Sequence, residues 1–105
     1  MSWIYLIVAA LFEIVWAYAM KQSAGFTRLV PSLVTISAML VSFWLLSVAM
    51  RSIPLGTAYT IWTGIGAVGT FVLGIVLLAE PASALRITAA VLIVSGLMLM
   101  KIASG

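Results

Sequence analysis

The sequence has no cysteine and no histidine, and only five basic and two acidic residues among 105. Without cysteine there are no disulfides, thiolate metal sites or cysteine nucleophiles. Without histidine there is little left for a zinc site or a catalytic triad, so neither an enzyme nor a metal or other cofactor is expected. Charged residues make up 7% of the chain, against about 25% in a soluble domain. The net charge of +3 is spread along the chain and forms no basic patch, which argues against nucleic acid as a partner.

What fills the space is apolar. Hydrophobic residues account for 66% of the sequence, and the mean hydropathy is +1.35. A chain this small cannot hide so much apolar surface by folding on itself, so the lipid bilayer is its solvent. No basic leader or small-residue cleavage site precedes the first apolar run, which reads as a retained membrane helix.

A spanning helix needs roughly 20 mostly apolar residues, and the charges cut the chain into four such pieces. The expected spans are about 3–21, 29–50, 55–79 and 84–103, within one domain covering 1–105. The last reaches full length if Ser83 caps it and Arg86 snorkels toward the headgroups. The fold class is therefore an all-α membrane protein with four transmembrane helices, joined by short loops into an up-down bundle. Both termini then lie on one side. Lys21, Arg28 and Arg86 fall at one end, Arg51 and Lys101 at the other. Orientation follows the Lys/Arg excess, and an excess of one leaves both dual insertion and a single fixed orientation open.

Glu13 is the exception to the apolar pattern, a carboxylate near the middle of the first span. Such a group is costly at mid-membrane depth, by ~2.5–3.5 kcal/mol or more on insertion scales, and by default it marks function. Ala9, Ala10, Trp16, Ala17 and Met20 share its helix face. The second span carries Thr35, Met39 and Ser42 on one face, and the third carries Tyr59, Trp62, Thr63 and Gly66. A carboxylate with hydroxyls and aromatic faces suits an organic cation, and guanidinium can meet a carboxylate in bidentate fashion. Interface belts suffice to explain Trp3, Tyr5 and Trp44. Helix packing is an alternative for Trp16, Tyr59 and Trp62, as is a bond to its own helix backbone for Ser42. Glu80 reads most simply as a solvated loop carboxylate.

Gly64 and Gly66 permit either a bend or close packing in the third span. Ser95-Gly96 is the small pair of the fourth span, whose expected task is contact with another subunit. Four helices have too little interior to enclose a site and gate it on both sides. Two copies inserted in opposite orientations would supply the inverted repeat common in transporters.

Glu13, Pro31, Pro54-Leu55-Gly56-Thr57-Ala58-Tyr59 and Trp62-Thr63-Gly64-Ile65-Gly66 together resemble the small multidrug resistance family over nearly the whole chain. Glu13-Ile14-Val15-Trp16-Ala17, Lys21, Gly25-Phe26-Thr27-Arg28 and Trp62-Thr63-Gly64 are similar to its guanidinium-exporter subtype. The resemblance implies an antiparallel dual-topology homodimer in a bacterial inner membrane, exchanging two protons for a small organic cation. It implies that Glu13 binds proton and substrate in turn, that Ser42, Tyr59 and Trp62 orient it, and that Trp16 lines the site. Ala10 and Thr60 stand where the subtype usually has glycine and alanine. Both are expected to modulate selectivity, toward substituted guanidines or small quaternary ammonium compounds. The alternatives are a broad quaternary ammonium exporter and, from another class, a proton-translocating ring or accessory membrane subunit.

Overall fold

The computed structural model describes residues 1–103. Four helices make up nearly all of it: α1 (Ser2–Gln22), α2 (Leu29–Ala49), α3 (Leu55–Leu78) and α4 (Ala84–Ala103). No strand occurs among the described residues. Each helix is long and apolar enough to cross a membrane; at ~1.5 Å per residue, twenty-odd residues match a hydrocarbon core of ~30 Å. The chain is therefore a multi-pass membrane protein.

Side-chain contacts show which loops share an end. Ser2 Oγ donates to Ser52 Oγ at 2.8 Å, and Lys101 Nζ lies 4.2 Å from the Trp3 ring centroid. The start of α1, the α2–α3 turn and the end of α4 thus meet. At the opposite end, Lys21 and Glu80 line one cavity, and Glu80 approaches Arg86. The basic residues sort as the up-down arrangement requires.

Lipid tails are as apolar as leucine, so burial alone gives helices little reason to associate in a bilayer, and close packing takes its place. The core shows how that is achieved. Ala9 and Ala10 of α1, Ala49 of α2 and Ala58 of α3 are fully buried, and Leu6, Leu45, Leu46 and Ile61 fill the spaces between them. Small side chains let the backbones approach. α1 is central, packing extensively on α2 and then α3, while α2 and α3 meet only sparsely. The backbone of α4 neighbours α3 alone, and none of its residues is buried. The resulting slab measures 42 × 35 × 16 Å.

The connections are built rather than slack. Ser23, fully buried, donates its hydroxyl to Met20 O at 2.6 Å and accepts the Phe26 N–H at 3.1 Å. This holds Ala24, Gly25 and Phe26 at φ of 50°, 76° and 66°. At the far end of α3, Ala79 ends the helix in the left-handed region, at φ 55° and ψ 33°. Glu80 N–H then reaches back to Gly74 O at 3.0 Å, a capping pattern that usually employs glycine.

The α3–α4 connection gives Arg86 two contacts. Its guanidinium lies 3.7 Å from Glu80 Oε1 and 5.2 Å from the Phe71 ring centroid. Glu80 lies in the loop with its side chain 41% exposed, and that side chain also packs over Gly74, where a Cβ would collide with it. Ser83 Oγ accepts the Arg86 N–H at 3.3 Å, capping α4 as a serine three residues upstream can.

Candidate functional site

Glu13 sits at the middle of α1, with its carboxylate directly against the backbone of Gly66 in α3. A Cβ at Gly66 would occupy the space of Glu13 Oε1. Gly69, one turn on, seats Ile14 in the same way, and Gly64 seats Leu97 of α4. The glycines of α3 are thus sockets for side chains from both neighbouring helices. α3 is one continuous helix through Gly64 and Gly66, and both glycines pack closely against a neighbouring side chain.

Glu13 Oε1 is buried without a hydrogen-bond partner among the described residues, and so is Trp16 Nε1, one turn away. Leaving a buried polar atom unpaired costs ~1–3 kcal/mol. Such a pair of atoms on one helix face marks a place able to receive a ligand.

Ser42 is fully buried and bridges three helices. Its hydroxyl donates to Ala9 O at 2.7 Å and accepts from Trp62 Nε1 at 3.0 Å. It does not bond its own helix, nor does it donate to Glu13 here. Instead it fixes the Trp62 indole.

The aromatic residues form a continuous row. Trp16 meets Phe43 edge-on, with centroids 6.3 Å apart and planes at 77°. Phe43 meets Trp62 at 5.9 Å and 61°, and Trp62 meets Tyr59 at 5.6 Å and 52°. These separations and tilts are favourable for aromatic pairs. Phe43 is the member that sequence reasoning missed, although it lies one turn beyond Met39 on the face of α2 already singled out. Trp62 is 7% exposed, whereas Phe43 and Tyr59 are 45% and 54% exposed, so the row opens onto one face of the single chain.

The two positions expected to modulate selectivity separate. Ala10 is fully buried in the helix core, one turn before Glu13. Thr60 does not approach Glu13; with Tyr59, Thr63 and Gly96 it lines a groove of about 550 Å³ between α3 and α4. Ser95 is exposed and bonds Val91 O at 2.8 Å, and a Cβ at Gly96 would meet nothing within 4 Å.

The chain is 55% identical over 104 residues to the guanidinium exporter of Yersinia pestis, covering 99% of this chain and 100% of that one. The guanidinium exporter of Proteus vulgaris is 56% identical over 104 residues, with the same coverage. That of Salmonella typhimurium is 54% identical over 104 residues, 99% of each chain. The family model described as Small Multidrug Resistance protein matches residues 1–103. On that match and on these relatives, the chain belongs to the small multidrug resistance family.

Proposed function

We propose that this protein is a proton-coupled antiporter that exports guanidinium and small substituted guanidines. The observation that carries the reading is Glu13, half-buried at mid-span with Oε1 buried and unpartnered, one turn from Trp16, which begins a row of four aromatic rings. A carboxylate accepts guanidinium in bidentate fashion, and desolvated aromatic faces each attract a cation by ~0.5–2 kcal/mol. A proton and the cation satisfy the same carboxylate, so each displaces the other. That exclusion, alternating between the two sides of the membrane, is exchange. The names of the relatives support this substrate class.

The working unit in this reading is an antiparallel homodimer in a bacterial inner membrane. Phe43 and Tyr59 are about half exposed, and a second copy would close the row. α4, whose backbone neighbours α3 alone and whose Gly96 is open, would provide further contact. The ends of the bundle carry three and two basic side chains, a bias weak enough for both insertions.

Small quaternary ammonium cations are a second substrate class, supported by the groove beside Tyr59 that Thr60 and Thr63 line. Thr60→Ala alone would test its share, since Ala10 lies in the helix core.

The decisive measurement is reconstitution into liposomes with a guanidinium gradient and a pH-sensitive dye inside. Proton movement opposite to guanidinium is expected, and it is expected to disappear in Glu13→Gln. Exchange that survives this change would sink the mechanism. An accessory or ring subunit would show no guanidinium-driven proton movement at all.

A further inference from the structure

A second groove, of about 350 Å³, runs between α1, α3 and α4. Its walls include Trp3 and Ile7 from α1, Ile61 and Ile65 from α3, and Leu97 from α4, with Lys101 at its end. Ile61 and Ile65 follow Tyr59 and Thr63 by two residues each, about 200° around a helix. This groove therefore opens on the face of α3 opposite the one that presents Tyr59 and Thr63. It shares one wall, Leu97 of α4, with the groove that Tyr59 and Thr63 line.

Its chemistry is sorted along its length. The walls are aliphatic, as an acyl chain requires. At the membrane-surface end, the Lys101 ammonium stands 4.2 Å from the Trp3 ring centroid and has no ion-pair partner among the described residues. Neither carboxylate side chain can reach it, because Glu13 is at mid-span and Glu80 is at the other end of the bundle. Arg51 lies at the same end as Lys101 and adds positive charge. A cation held at headgroup depth above an apolar slot complements a negative phosphate carrying a fatty chain. Basic pockets between membrane helices recognise anionic headgroups on this principle.

We propose that this groove binds an anionic phospholipid, with one acyl chain along Ile7, Ile61, Ile65 and Leu97 and its phosphate on Lys101. Trp3 holds the lysine side chain over the slot, as tryptophan at the membrane interface can.

The test is native mass spectrometry of the full-length protein in detergent, titrated with phosphatidylglycerol or with phosphatidylcholine of identical chains. One phosphatidylglycerol per chain should be retained, with a preference over phosphatidylcholine of roughly fivefold for a single engaged lysine. Lys101→Gln should remove that preference. Arg51→Gln, at the same end but outside the groove, should keep most of it. Ile7→Trp, which fills the slot from an exposed position, should weaken both lipids while leaving Lys101 in place. Unchanged size-exclusion elution shows that each variant is folded. Equal retention of the two lipids, a preference unaffected by Lys101→Gln, or no retained lipid at saturation would each overturn the proposal.

Discussion

The carboxylate of Glu13 rests on the bare backbone of Gly66, which has no side chain to hold it away from α3. One residue supplies the charge and the other supplies the room. Gly66→Ala should leave the helices assembled, because the atoms it displaces are the far end of a flexible side chain. It should nevertheless shift the carboxylate and reduce guanidinium-driven proton flux by at least about tenfold, the effect of ~1.4 kcal/mol. Liposome flux and size-exclusion elution, measured together, check this.

Ser42 and Trp62 should behave as one unit. Ser42→Ala leaves Trp62 Nε1 buried without its partner and removes the second bond to Ala9 O, which keeps its helical one, at a cost of ~1–3 kcal/mol. A lower thermal midpoint in detergent is expected. Trp62→Phe should also destabilise, and the double variant should lose less than the sum of the two, as contacting residues do. Strict additivity would show that the bridge is not energetically coupled.

Phe43 links Trp16 to Trp62. Phe43→Ala breaks the row at two contacts of ~0.5–1.5 kcal/mol each. Apparent guanidinium affinity should fall several-fold in the flux assay. Phe43→Tyr, which keeps the ring, should recover most of it.

Proton and guanidinium share Glu13 in the proposed cycle, so lowering the pH on both sides of the membrane should weaken guanidinium binding. Protonation removes the charge that the cation needs, and raising the pH should restore affinity. Guanidinium titrations by tryptophan fluorescence across a pH series check the sign. A pH-independent affinity would contradict shared occupancy.

Ala79 holds a left-handed conformation at φ 55°, which costs an L-residue ~1–2 kcal/mol. Ala79→Gly should raise the thermal midpoint and Ala79→Val should lower it. Position 79 lies at the end of α3, away from Glu13 and Gly66, so flux at low temperature should change little.

Glu80 and Arg86 show where one-dimensional reading stopped. Each looked like a surface charge with its own route to water, because nothing in the sequence says that Gly74 leaves a socket for Glu80 or that Phe71 lies under Arg86. Ser42 shows the same limit. Its burial was implied by the polar face of α2, but a serine in a helix has many possible acceptors. Only the packing of α1 and α3 brings Ala9 O and Trp62 Nε1 within reach.

Composition by itself determined that this chain lives in lipid, since seven charges cannot solubilise so much apolar surface. Charge spacing alone divided it into four spans, and the mid-span position of Glu13 marked the candidate site, because desolvation penalises a carboxylate in any fold. Tertiary structure decided what surrounds that carboxylate. The glycines of α3 became sockets for neighbouring side chains, Phe43 joined the aromatic row, and Thr60 turned toward α4 while Ala10 sank into the core. These outcomes depend on which helix faces meet, and in lipid that choice rests on close packing of small side chains, which no single helix carries in its own sequence.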